Sequence, residues 1–242
     1  MSTTSLQQPQ SGSPSTLNWD QIDTVLLDMD GTLLDLCYDN HVWNQMLPQR
    51  LAEQRHPQTS PELVAQTAAE LLTHMRSVMG TITFYSLDYW ADYTQLDLIA
   101  LHEEFGHLVA FRPSAQTFLQ RLGEHNIQRV LATNAHRDSL AIKHQHSGIN
   151  DLLDLSISSH DYGHPKEAQA FWQSLQEDVG FDSARTLFID DNEPVLASAR
   201  DFGIGHLRIV SQPDSARPDR VGLEYPAFND FAEIMPPPVV AP

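Results

Sequence analysis

VLLDMDGTLLD, residues 25–35, runs an apolar segment into two carboxylates, Asp28 and Asp30, and then into a Gly31-Thr32 turn. The unbroken apolar run predicts a buried parallel strand over 24–28, because parallel sheets are covered on both faces and their strands do not alternate. Such sheets present ligands outside the carboxyl ends of their strands, which is where these two acids fall. Residues 29–32 break the strand pattern. Two acids one residue apart at a sheet edge point to a divalent, oxygen-ligated cation that would hold their charge. An ordinary acidic turn with Asp30-Gly31 as the breaker is the alternative from this stretch alone.

Outward from that stretch, the chain's 242 residues and 41% hydrophobic content suit a globular core, alone or with a smaller inserted domain. With 14 basic against 32 acidic residues, the formal net charge of -18 makes broad contact with a nucleic-acid backbone unfavourable. A small phosphorylated substrate is compatible if a metal and a lysine reverse the field locally. Cys37 is the only cysteine, so no internal disulfide forms and a reducing cytoplasm is expected. The first residues carry neither a basic nor an apolar segment, and no run approaches about 18 apolar residues, so neither secretion nor membrane insertion is expected.

Four regions are expected: a polar Gln/Ser/Pro-rich tail over 1–17, a core over 18–35 and 111–235, a helical cap over 36–110, and an extended tail over 236–242. The cap segment is too long for a single crossover helix. Within it, Ser60-Pro61-Glu62 reads as an N-cap, a proline and an acid opening a helix with Leu63, Thr67, Leu71, Met75 and Met79 in step, stopped by Gly80. A further amphipathic element is expected over 96–108. Beyond Pro113, helices over 115–124, 139–146, 167–177 and 195–202 alternate with strands over 129–133, 152–158, 186–190 and 205–210. A short helix over 228–234 closes the core. This alternation predicts a doubly wound α/β fold with an all-helical insertion.

Three further strand ends carry polar groups. RVLATNAH, residues 129–136, ends in Thr133 and Asn134; TLFIDDNE, residues 186–193, ends in Asp190 and Asp191; and GHPKE puts Lys166 before a helix. Singly, each reads as well as a cap, a capped turn or a solvated lysine. Together, parallel strands gather two acid pairs, a hydroxyl and a lysine on one rim, which is the equipment of phosphoryl transfer. Asp28 would attack phosphorus and become an aspartyl phosphate. Asp30 would protonate the leaving alkoxide and then activate water. Thr133 and backbone N–H groups around Met29 and Asn134 would bind phosphoryl oxygens, Lys166 would offset charge, and the second acid pair would hold the metal.

The motifs DMDGT, TN, K and DD, at Asp28, Thr133, Lys166 and Asp190, resemble those of the haloacid dehalogenase-like phosphatase superfamily. That resemblance implies Asp28 as nucleophile, Asp30 as acid and base, and Mg²⁺ held by the Asp28 carboxylate, the Asp30 carbonyl and one acid of the last pair. It favours Asp191 as that ligand, leaving Asp190 to a water or to Lys166, and it implies a β-hairpin flap after the first strand. The longer strings DTVLLDMDGTLLDL, LDYW, TNAH, PKE and TLFIDD are similar to the bacterial GMP/IMP 5'-nucleotidases of that superfamily, over roughly residues 19–231. This implies Mg²⁺-dependent hydrolysis of purine nucleoside 5'-monophosphates. A monomer or weak homodimer is expected. Pro165 precedes Lys166 where the wider superfamily has a proline after it.

Specificity is expected to reside in the cap. Tyr85, Tyr89 and Trp90 are candidates to stack on a purine and equally to pack a helical core. Asp88 could accept from guanine N–H groups or lie on the surface. His136 and Arg137 could reach ribose or phosphate or serve a helix start. His144, His146, His160 and His164 match no metal spacing and read as scattered surface histidines. A broad small-metabolite phosphatase is the runner-up function, and a noncatalytic interaction module the alternative from another class.

Overall fold

The structure, a computed structural model, describes residues 17–56 and 58–239. The expected tail over 1–17 falls almost wholly outside the described residues, as does the end of the tail over 236–242. Strands β1 (Thr24–Leu27), β2 (Gln128–Thr133), β3 (Leu155–Ser158), β4 (Thr186–Asp190), β5 (His206–Val210) and β6 (Ala227–Phe228) form one parallel sheet in the order β3-β2-β1-β4-β5-β6. Helices α1 (Cys37–His41), α2 (Leu47–Arg55), α3 (Pro61–Val78), α4 (Leu87–Thr94) and α5 (Leu98–Glu104) lie between β1 and β2 in the chain, followed by α6 (Ala115–Glu124). Helices α7 (Arg137–Ser147), α8 (Gln169–Val179) and α9 (Glu193–Phe202) complete the alternation.

The period of two along each strand divides the core. Val25 and Leu27 of β1, Leu131 of β2 and Leu187 and Ile189 of β4 share one cluster with Phe118, Leu119 and Leu122 of α6 and Leu140 of α7. Leu26, Val130, Ala132, Phe188 and Ile209 share the other with Phe171, Trp172 and Leu175 of α8 and Val195, Leu196 and Ala199 of α9. Both faces of β1 are therefore dry, and all four of its residues are buried. Burial of this kind is favourable by about 25 cal/mol per Å² of apolar surface, which fixes the register.

That register places the chemistry. Leu27 pairs with Leu131 on one side and Ile189 on the other. One residue on, Asp28 stands level with Asp190, and its N–H donates to the Ile189 carbonyl at 2.9 Å.

The helices of the insertion have a core of their own, built from Tyr38, Val42, Leu47, Leu51, Leu71, Leu87, Trp90, Leu98 and Leu101. Helix α3 opens as its sequence predicts, with Ser60 Oγ accepting from the Leu63 N–H at 3.4 Å and Pro61 in the first turn. It stops at Val78, before Gly80, and Met79 at the end of the apolar stripe is 62% exposed. Between α1 and α2, residues Val42–Met46 form a π-helical turn, a rare wide turn that no sequence period announces.

Several expectations shift. The segment after β1 is a turn in which Gly31 donates to Leu34 and Leu34 bridges Phe111, with no β-hairpin flap among the described residues. The element over 96–108 is α5 plus a 3-10 turn at Gly106–Leu108. The strand over 152–158 begins only at Leu155, after a 3-10 turn at Ile149–Leu152. The last element is a 3-10 turn at Phe231–Ile234 preceded by β6, whose two residues are too few to show a pattern. Among the described residues no helix is long and apolar enough to cross a membrane.

Candidate active site

Asp28, Thr133, Asn134, Lys166 and Asp190 are all buried and meet at the carboxyl edge of the sheet. Lys166 Nζ donates to Asp28 Oδ1 at 2.5 Å and to Asp190 Oδ2 at 2.7 Å. Burial alone would depress the lysine, yet the two carboxylates override it and hold it above the usual lysine range. Asp28 is pushed well above the carboxylate range, first by burial; Lys166 opposes this, and Asp190, Asp191 and Asp30 add to it.

The two acids after β4 differ in their surroundings. Both oxygens of Asp190 are used, Oδ2 by Lys166 and Oδ1 by the Asn192 N–H at 2.8 Å. The Asp191 carboxylate accepts no hydrogen bond among the described residues, and burial and then Asp190 push it up to about 7. One oxygen each from Asp28, Asp190 and Asp191 lie within 4.8 Å of one another. A half-buried carboxylate with no hydrogen bond of its own among the described residues, beside two buried ones, with Lys166 and the Arg220 guanidinium at the Asp191 carbonyl to balance three acids, is a donor set that fits a hard divalent cation such as Mg²⁺.

The turn after β1 is shaped around that carboxylate. Gly31 has φ +82°, and a Cβ there would stand 3.0 Å from Asp191 Cγ and 2.9 Å from Pro213 Cβ, so both conformation and space require glycine. Gly31, Thr32, Leu33 and Leu34 donate the turn's hydrogen bonds, and the Met29 and Asp30 N–H groups have no acceptor among the described residues. The Met29 side chain is fully buried in the first core cluster, so only its backbone is available to a ligand.

Asn134 locks the second strand end to the lysine. Its Oδ1 accepts from the Lys166 N–H at 2.9 Å and its Nδ2 donates to Glu167 Oε2 at 3.0 Å, while Tyr85 Oη donates to Glu167 Oε1 at 2.6 Å. Glu167 thus joins the insertion to the core. Burial and then Glu167 raise the Tyr85 hydroxyl, keeping it protonated as a donor. Thr133 Oγ1 accepts from the Ala135 N–H at 3.0 Å.

A cavity of about 380 Å³ opens from these groups into the insertion. The core contributes Asp28, Asp30, Thr133, Asn134, Lys166 and Asp191 to its lining, and the insertion contributes Asn40, Trp43, Asn44, Met75 and Phe84. The volume lies in the ~300–1,000 Å³ range of small-molecule sites.

Of the residues expected to read the substrate, Tyr85, Trp90 and His136 line this cavity and Asp88, Tyr89 and Arg137 do not. Helix α4 begins at Leu87, so Leu87 and Trp90 share the cavity face while Asp88 and Tyr89 turn away. The Asp88 side chain is 80% exposed, Tyr89 contacts His74 Nε2 at 2.6 Å, and Arg137 is exposed and paired with Asp161. Trp90 is itself a core residue whose Nε1 donates to the Phe84 carbonyl at 2.9 Å. His136 combines both readings, capping α7 while facing the cavity. His144 and His160 are half-buried, unlike the surface pattern expected. The sequence reading did not count Asn40, Trp43, Asn44, Met75, Phe84, Glu167 or Lys143 among the site residues. Trp43 and the two asparagines follow the acidic motif within one helical stretch, which is the one signal that could have drawn attention to them.

A doubly wound sheet with paired acids after its first and fourth strands, and a helical insertion after the first, defines a class, and the sequence agrees: the pattern of the haloacid dehalogenase-like hydrolases matches residues 22–203, and the chain belongs to that family. The chain is 39% identical over 220 residues to the GMP/IMP nucleotidase YrfG of Escherichia coli (strain K12), covering 90% of this chain and 96% of that one. The GMP/IMP nucleotidase YrfG of Shigella flexneri matches to the same extent. Among solved structures, a HAD phosphatase from Thermococcus onnurineus superposes with a TM-score of 0.71 at 16% identity, covering 88% of this chain and 95% of that one.

Proposed function

We propose that this hydrolase is a Mg²⁺-dependent 5'-nucleotidase that releases phosphate from GMP, IMP and like purine nucleoside 5'-monophosphates. The observation that carries the reading is one cavity that the Asp28-Lys166 pair shares with aromatic and amide side chains of the insertion at Trp43, Phe84, Asn40 and Asn44. With a phosphate seated against Asp28, those side chains would meet a flat, hydrogen-bonding base. The names of the curated relatives point the same way.

In this reading Asp28 attacks phosphorus, the P–O5' bond breaks, and Asp30 gives the leaving alkoxide its proton. Water then attacks the aspartyl phosphate while Asp30 takes a proton back, which frees inorganic phosphate and restores Asp28. Thr133 and the unused Met29 and Asp30 N–H groups bind phosphoryl oxygens, and Lys166 balances charge on nucleophile and phosphate. The Asp28 and Asp191 carboxylates and the Asp30 carbonyl would hold Mg²⁺, which offsets the repulsion between carboxylate and phosphate dianion, while Asp190 keeps Lys166 in place. The insertion acts as a cap that excludes bulk water and reads the base.

The test is phosphate release from a panel of nucleoside monophosphates, phosphoglycolate and hexose phosphates, with and without Mg²⁺. GMP and IMP are expected to exceed the sugar phosphates at least tenfold in kcat/KM, and EDTA to abolish turnover. Equal or faster release from phosphoglycolate or hexose phosphates would replace this reading with a broad metabolite phosphatase.

A further inference from the structure

Lys143 is a buried ammonium for which the reaction above has no use. It lies on α7, and its side chain is only 1% exposed. Its Nζ stands 2.7 Å from Asp30 Oδ1 and 2.7 Å from Asp39 Oδ1, and 5.4 Å from the centre of the Tyr38 ring. Asp30 comes from the turn after β1, and Asp39 and Tyr38 from α1, the first helix of the insertion. A lysine taken fully out of water costs several kcal/mol unless its charge is met, so the site exists because both carboxylates are present.

The geometry constrains Asp30 more than it constrains Lys143. Lys143 is the only side-chain charge partner of Asp30 among the described residues: its ammonium forms an ion pair with the buried Oδ1, which accepts no hydrogen bond. Asp30 also lines the cavity, and its side chain is 22% exposed. One oxygen is therefore buried against the ammonium, and the other is left for the substrate. A proton-transfer group must sit within about 3 Å of the atom it serves, and the rotamer of a short acid on a turn is not otherwise fixed here.

Resting on the acid-base role of Asp30 proposed above, we propose that Lys143 is a positioning residue for proton transfer: it anchors Asp30 Oδ1, Asp39 anchors Lys143, and Oδ2 of Asp30 exchanges the proton with the leaving group. Because Asp30 and Lys143 belong to the core and Asp39 to the insertion, the second carboxylate on Lys143 is supplied only when α1 is packed against α7. Assembly of the insertion on the core thereby completes the charge balance around the anchor.

Leaving-group dependence tests this. A nucleoside alkoxide needs a proton as it departs, whereas the 4-nitrophenolate of an aryl phosphate does not. K143M is expected to lower kcat/KM for GMP by about 10²–10³-fold, within the range of general acid catalysis, and for 4-nitrophenyl phosphate by less than tenfold. D30N is expected to show the same selectivity, D39N a weaker form of it, and K143R to recover part of the GMP activity. Thermal unfolding shows whether K143M is folded; if it is not, K143R and D39N carry the same comparison, since each retains a partner for the remaining charges. Equal losses on both substrates in the folded Lys143 and Asp39 variants, with D30N selective, overturn the role of Lys143 alone. Equal losses in D30N as well overturn the acid-base reading on which it rests.

Discussion

At the scale of single residues, the two acids that end β4 are neighbours in sequence and opposites in environment. The Asp190 carboxylate is saturated by Lys166 and the Asn192 N–H, and the Asp191 carboxylate has no donor among the described residues. D191N is therefore expected to weaken Mg²⁺ binding by tenfold or more with little change in melting temperature. D190N, which removes one of two charges facing a buried lysine, is expected to cost about 3–5 kcal/mol of stability, the usual penalty for breaking a buried pair from one side. Calorimetric Mg²⁺ titration beside thermal unfolding separates the two, and the reverse pattern would exchange their roles. Gly31 links the same carboxylate to the first turn. G31A is expected to lose about 1–2 kcal/mol from the left-handed backbone and to displace Asp191, so both stability and Mg²⁺ affinity fall.

At the scale of elements, β1 was legible because its burial is total and its residues say so: an apolar run bounded by acids and glycine. The motif residues at the ends of β2 and β4 were legible for the same reason, and parallel pairing then left Asp28 and Asp190 little choice but to stand level. The insertion was legible as helix and illegible as a binding wall. Pattern alone cannot tell which face of a short helix meets a cavity, so Tyr89 and Asp88 looked as eligible as Trp90. The π-helical turn Val42–Met46 was invisible because it is set by packing: it holds Val42 in the insertion's core while Trp43 and Asn44 line the cavity. If this turn reads the base, W43A should raise KM for GMP about 10–100-fold, as expected for losing a stacking partner worth about 1–3 kcal/mol. KM for ribose 5-phosphate should change less than threefold. A parallel rise for both would place Trp43 in structural support alone.

At the scale of the whole molecule, the insertion is joined to the core by polar ties that converge on the site: Lys143 to Asp39, Tyr85 to Glu167, and Asn40 Nδ2 donating to Asp214 Oδ2 at 2.7 Å. The insertion's stability is also expected to depend on pH. His102 is buried against Tyr38, whose hydroxyl is 2.9 Å from Nδ1, and its ring packs edge-on to Trp43. Burial, with Lys143 adding to it, depresses its pKa from 6.5 to about 3. Between these values the unfolded chain binds a proton that the folded chain refuses, so the contribution of His102 to stability is full above pH 6.5 and is lost as pH drops toward 3, while Asp39, pushed up to about 7 by burial and then by Asp30, contributes in the opposite direction. H102N is expected to make the melting temperature fall less between pH 6.5 and 4.5 than in the wild type, and an unchanged slope would remove His102 as a source of that fall.

The proposed hydrolysis depends on Asp28 as the group that takes the phosphoryl from a purine nucleotide, and kcat/KM of the wild-type protein and of D28N for GMP, with saturating Mg²⁺, measures that role most directly. Rapid Mg²⁺-dependent release by the wild type and a fall of at least about 10³-fold in a folded D28N is the predicted result; undiminished release by D28N would contradict it.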